Sequence, residues 1–107
     1  MHVIIDDIRD EGADVVIRNP YLALDILRAI DRMPRGMKDV RIRKLSMDND
    51  MGAGPEGKDI LYQALGELAH KPDEVVIVTS NPVAAQHMRQ TLERFAYTTK
   101  DRFTYIR

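Results

Sequence analysis

The chain has 107 residues, 44% hydrophobic and 31% charged, which fits one globular domain and excludes disordered and low-complexity classes. Its 16 Lys and Arg stand against 17 Asp and Glu, so a dedicated duplex-DNA binder, which carries a basic surplus, is not expected. There is no Cys, no apolar stretch near the roughly 20 residues that cross a bilayer, and no signal-peptide pattern at Met1–Asp7, so a cytoplasmic protein without disulfides, thiolate metal sites or membrane attachment is expected.

In chain order, Val3-Ile4-Ile5 reads as a buried strand stopped by Asp6-Asp7. Short, continuous β-branched runs mark strands covered on both faces. Val15-Val16-Ile17 is a second strand. Only a short segment around Asp7 to Ala13 separates the two, whereas a parallel crossover normally takes a dozen or more residues. Either the second strand is antiparallel or a flattened loop replaces the first crossover helix, and one sheet face is then thinly covered. Asn19 and Pro20 open a helix carrying Tyr21, Leu22, Leu24, Ile26, Leu27 and Ile30, as N-cap and first helical residue. Val40 to Met47 is a third strand, with Val40 and Ile42 alternating against Arg41 and Arg43.

A helix starting near Gly57 or Lys58 carries Ile60, Leu61, Ala64, Leu65 and Leu68. Val75 to Val78 is a strand stopped by Thr79-Ser80-Asn81, and Asn81-Pro82 opens a helix with Ala84, Ala85, Met88, Leu92 and Phe95. Phe103 to Ile106 is a weaker last strand. This alternation predicts a small, open α/β sheet of about five strands with three main helices, the first crossover helix reduced or absent.

In such sheets ligands bind beyond the carboxyl ends of the strands. Asp6 and Asp7 follow the first strand, Asp48, Asn49 and Asp50 the third, and Thr79, Ser80 and Asn81 the fourth. Clustered carboxylates repel one another unless a cation or protons relieve them, and Mg²⁺ or a similar hard divalent cation takes oxygen ligands. A helix start with free N–H groups beside Ser80 and Asn81 is an anion pocket. Together these point to a metal and phosphate site, although strand-end Asp and Asn-Pro helix starts are also common turn chemistry. Asp6, Asp7 and Asp48 are the expected metal ligands. Asp48 and Asp50 are the candidate catalytic groups, and Arg9, Thr79, Ser80 and Asn81 the candidate phosphate binders.

Gly52, Gly57 and Lys58 match the G-x-x-x-x-G-K spacing of a nucleotide-binding loop. Asp59 stands where the Mg²⁺-binding Ser or Thr belongs, and Pro55 where backbone N–H groups should cradle phosphate. The segment therefore reads as a connector, with a lid as the alternative. His2 and His70 read as surface residues away from the site, and His87 as an exposed residue of the third helix. Charge is uneven: Arg28 to Lys44 holds seven basic and two acidic residues, a net of +5, and Asp6 to Asp14 five acids and one Arg, a net of −4.

The acidic pair after the first strand, Asp48 after the third and Ser80 after the fourth resemble the receiver domain of response regulators, which has a flavodoxin-like, mostly parallel sheet. A signalling receiver has a Lys after its last strand. Here Lys100 precedes that strand, and the sequence ends at Arg107 without the receiver's last helix. The chain is more similar to the cyclic-phosphate processing receiver domain family, over nearly its whole length. Ile5-Asp6-Asp7-Ile8-Arg9, Met47-Asp48-Asn49-Asp50-Met51-Gly52 and Thr79-Ser80-Asn81-Pro82 with Met88 follow the three motifs of that family in order.

The resemblance implies a divalent cation and a phosphate-bearing ligand, a nucleotide or an RNA end. The family has His where this chain has Asn49 and Thr79, so loss of both general acid–base groups is expected to leave hydrolysis slow or absent. Restoring both is expected to raise it. The alternative is an inert receiver-like interaction module that binds a protein partner, which the two replaced His residues and the basic segment favour. A thermal melt with and without Mg²⁺ separates the two readings.

Overall fold

The structure, a computed structural model, describes residues 1–34 and 41–107. The elements are β1 (His2–Ile5), β2 (Val15–Ile17), α1 (Pro20–Asp31), β3 (Lys44–Met47), α2 (Gly57–Glu67), β4 (Glu74–Ile77), α3 (Pro82–Arg94), β5 (Thr98–Thr99) and β6 (Thr104–Ile106). They form one sheet in the order β2-β1-β3-β4-β6-β5. The strands β2, β1, β3 and β4 run parallel, and β6 and β5 add an antiparallel edge. This is the small, mostly parallel, receiver-like α/β sheet expected from the sequence, with one strand more than the five anticipated.

The direction of β2 is settled. It pairs parallel to β1, with Val3 opposite Val15 and Ile5 opposite Ile17. The connection is a loop, residues 6–14, with no helix. It reverses through positive φ at Glu11 (49°) and Gly12 (68°), where Gly12 supplies a left-handed conformation at no steric cost. Arg18 then pins the loop, its guanidinium donating to the Asp6 and Arg9 carbonyls at 3.3 and 3.4 Å.

Among the described residues the three helices lie on one face. The connections β2–α1–β3 and β3–α2–β4 step across the sheet in the same direction, so right-handed crossovers place both helices on the same side. The helix α2 packs against both α1 and α3. Val3, Ile5, Leu45, Met47, Val75 and Ile77 meet this layer in the core. Alternate strand residues face the other way, and Ile4, although fully buried, lies outside that core.

Two details of the helices differ from expectation. In α1 the core-facing residues are Pro20, Ala23, Leu27 and Ile30, while Tyr21 and Leu22 are exposed. The small Ala23 faces the sheet, so residue size misled where spacing did not. Tyr21 instead packs beside the backbone of Gly54, where a Cβ would come within 2.7 Å of its ring. The two-residue strand β5 has no sequence signal. In the third strand Val40 lies outside the described residues, as do Arg35, Lys38 and Asp39 of the basic segment. Ile42 is buried between exposed Arg41 and Arg43, as the alternation requires, and the ladder begins at Lys44. Among the described residues no helix is long and apolar enough to cross a membrane.

Candidate functional site

Parallel pairing brings the acidic motifs together. Ile5 is level with Met47, and the Asp48 N–H continues the ladder by donating to the Ile5 carbonyl at 2.9 Å. The next residues therefore emerge side by side. Asp6, Asp7 and Asp48 each present a carboxylate oxygen within 4.8 Å of the others. Asp50, the fourth carboxylate expected here, is not part of this group. It is exposed, and its carboxylate accepts from the Asn49 side-chain amide at 3.3 Å.

The three acids are not equivalent. Asp6 is fully buried. Burial alone would raise its pKa, but backbone N–H groups of Ile8 and Arg9 donate to Oδ1 at 2.9 and 3.1 Å, and the Arg9 guanidinium donates to Oδ2 at 2.9 Å. The net result lies below the ordinary 3.8. At Asp48 burial pushes the pKa up, the Asn49 N–H at 2.8 Å opposes it, and the charge of Asp6 adds to the rise, so the net result lies above 3.8. Arg9 stands 4.0 Å from Asp48 and so pairs with both carboxylates. Three carboxylates and one guanidinium leave a net charge of −2 when all are ionised.

A carboxylate whose folded pKa is depressed contributes stability above its unfolded value, and this is lost as pH falls through the folded value. Replacing Arg9 with Met removes one donor from Asp6 and should raise that folded value. The Arg9 side chain is 42% exposed, so solvent already screens the pair, and the expected cost is about 1–2 kcal/mol. Acid unfolding should also begin at a higher pH. Melting curves between neutral pH and pH 3 check this, and an unchanged acid limb would show that Arg9 does not hold Asp6.

The phosphate candidates follow β4. Thr79 is buried, its Oγ1 accepting from the Asn81 N–H at 3.1 Å, and Ser80 is exposed. Asn81 is the N-cap of α3, its Oδ1 accepting from the N–H groups of Val83 and Ala84, both at 3.1 Å. That oxygen is therefore committed to the helix, and only the side-chain amide NH₂ remains to meet an anion. Arg9, Thr79 and Ser80 line one open cleft of about 520 Å³, which also reaches His2, Ser46, Val76 and Phe103. The lining described stops at Arg9 and does not include the three aspartates.

Several residues have roles the motifs did not indicate. Asn49 is 1% exposed, and its Oδ1 accepts from the Lys58 N–H at 3.0 Å. The position before α2, Glu56, makes no side-chain cap, so Asn49 caps this helix from the end of β3. The Gly57 N–H also donates to the Asn49 carbonyl, at 3.0 Å. These are the donors a phosphate-binding glycine loop would need, so the G-x-x-x-x-G-K spacing is a coincidence here. His2 is not a plain surface residue, since its Nε2 lies 2.7 Å from the Ser46 hydroxyl and burial followed by the Lys44 charge lowers its pKa. His87 and His70 are exposed. The Arg18 latch and the distant cap by Asn49 left no local signal, because each joins residues nine or more positions apart.

No curated relative and no solved structure matches the chain at a significant level. The family described as the cyclic-phosphate processing receiver domain matches residues 1–94. That span holds the acidic loop, the Asp48 strand end and the Thr79–Asn81 turn, in the order in which the sheet brings the first two side by side. The chain belongs to the cyclic-phosphate processing receiver domain family.

Proposed function

We propose that this domain binds the phosphate of a cyclic nucleotide or of an RNA end, with a divalent cation held by Asp6, Asp7 and Asp48. The supporting observation is that Arg9 belongs to two places at once. It ion-pairs with the carboxylates and lines the cleft that Thr79 and Ser80 share. The three carboxylates are hard oxygen donors, and their residual charge of −2 matches a cation such as Mg²⁺. Bound there, the cation would supply charge to polarise phosphoryl oxygens.

The chain's own groups divide the remaining work. Arg9 neutralises non-bridging oxygens, since a guanidinium on an anion forms a short, charge-assisted bond. The Ser80 hydroxyl and the Asn81 side-chain NH₂ orient the phosphate, because the first N–H groups of α3, those of Val83 and Ala84, are taken by the Asn81 cap. Asp50, exposed beside the site, assists through water. With Asn49 and Thr79 at the two motif positions, neither offers an imidazole for proton transfer, so binding outlasts turnover.

The test is a thermal melt of the wild type and Asp48→Asn, with and without Mg²⁺. A carboxylate whose folded pKa is raised above its unfolded value disfavours the fold once ionised. Asp48→Asn should therefore stabilise the metal-free protein at neutral pH. In the wild type, Mg²⁺ at 100 times its dissociation constant should add about 2.7 kcal/mol, and the variant should lose that gain. Equal Mg²⁺ responses in the two proteins would overturn the metal assignment and favour a domain that only docks a protein partner.

A further inference from the structure

The loop that stands in place of the first crossover helix leaves the second face of the sheet without a helix among the described residues. On that face His2, Lys44, Ser46 and Val76 line the floor of the 520 Å³ cleft. Arg9 and Glu11 of the β1–β2 loop form one wall, and Phe103, just before β6, contributes to the other. Thr79 and Ser80 close the end next to the carboxylates. The volume lies within the roughly 300–1,000 Å³ of small-molecule sites. From Val76 to Ser80 the chain advances four residues, which at strand rise is roughly 13 Å, the length scale of a nucleoside.

The chemistry of the lining changes along this axis. At one end are a guanidinium and two hydroxyl side chains. Towards the other, Val76, Val78 and Phe103 supply apolar surface. Phe103 is 47% exposed, with the Arg102 guanidinium 5.1 Å from its ring centroid. The His2–Ser46 pair and Lys44 are polar groups in reach of that surface. Among the described lining residues Glu11 is the one acid, against Arg9 and Lys44. An anionic head and a flat, largely apolar body with polar edges is the ligand this gradient fits.

We propose that the cleft is a nucleoside site. The phosphate lies at Arg9, Thr79 and Ser80, the ribose over Val78, and the base against Val76 and Phe103 with its edge towards His2 and Ser46. This rests on the phosphate reading above and adds to it the part of the ligand that carries identity.

The experiment titrates the full chain, in Mg²⁺, with 2′,3′-cyclic AMP and separately with inorganic phosphate. The proteins compared are the wild type and Phe103→Ala, and amide NMR shifts map the contact. Stacking of a base on an aromatic ring is worth roughly tenfold or more in affinity. The cyclic nucleotide should bind at least about tenfold more tightly than phosphate in the wild type. Phe103→Ala should remove about that factor for the nucleotide and leave phosphate unchanged. Shifts at Ser46, Val76 and Thr104 should appear with the nucleotide alone. If phosphate binds and the nucleotide binds no tighter, or if Phe103→Ala weakens both equally, the nucleoside site is overturned while the phosphate site stands. If the wild type binds neither, both readings fail together.

Discussion

Replacing Gly57 with Ala should destabilise the domain by about 3 kcal/mol or more, a large effect for one added methyl group. A Cβ at this position would lie 1.6 Å from the Asp48 carbonyl oxygen, 2.7 Å from its carbon and 2.9 Å from the Asn49 Cα. All three are backbone atoms, so no side chain can rotate away. Gly57 has no positive φ, which makes the cost one of space. The first residue of α2 is pressed against the end of β3 and bonded to it, through the Gly57 and Lys58 N–H groups on Asn49. Relief requires moving the strand end that carries Asp48 or the start of the helix. Gly52→Ala is the control. Its φ is +82° and nothing lies within 4 Å, so only the left-handed backbone penalises Ala there, by about 1 kcal/mol. Urea titrations of both variants check the ranking. Equal losses would show that α2 and the end of β3 are not in contact at Gly57.

The same junction shows what was legible in the sequence. Helix starts were, because Asn19-Pro20 and Asn81-Pro82 carry their signal within two residues, and both Asn side chains do accept from helix N–H groups. Three of the four strand-end aspartates were legible as a group, because parallel neighbours in register deliver adjacent strand ends to one place. Asp50 was not separable from Asp48 by type, only by which way the chain turns after Asn49. The cap of α2 was hidden for a related reason. Glu56 occupies the cap position and does not cap, while the acceptor comes from nine positions earlier. His2 looked like a terminal surface residue because its partner, Ser46, is 44 positions away. The parallel direction of β2 was undecidable from so short a connection, since it depends on the Glu11-Gly12 reversal and on Arg18 holding two loop carbonyls.

Hydrolysis of a 2′,3′-cyclic phosphate by this chain should be slow, and Thr79→His should raise it by roughly 10²–10⁴, whereas Asn49→His should not. The sequence alone treats the two positions as equivalent losses of a proton-transfer group, but the structure separates them. Asn49 is nearly inaccessible and both ends of its amide are used, by the Lys58 N–H and by Asp50. An imidazole there inherits the duty of capping α2, and a ring nitrogen that accepts the Lys58 N–H cannot also carry protons for a substrate. Thr79 lines the same cleft as Arg9 and Ser80, so an imidazole at that position can reach an anion held between them. The substitution forfeits the bond from the Asn81 N–H to the Thr79 hydroxyl, a loss of about 1 kcal/mol that leaves the fold intact. Initial rates in Mg²⁺ with a 2′,3′-cyclic nucleotide, on samples whose melting curves show them folded, decide the matter. A fast wild type would show that the chain needs no imidazole at either motif position. An Asn49→His rate equal to that of Thr79→His would show that the side chain at position 49 turns into the site rather than under α2.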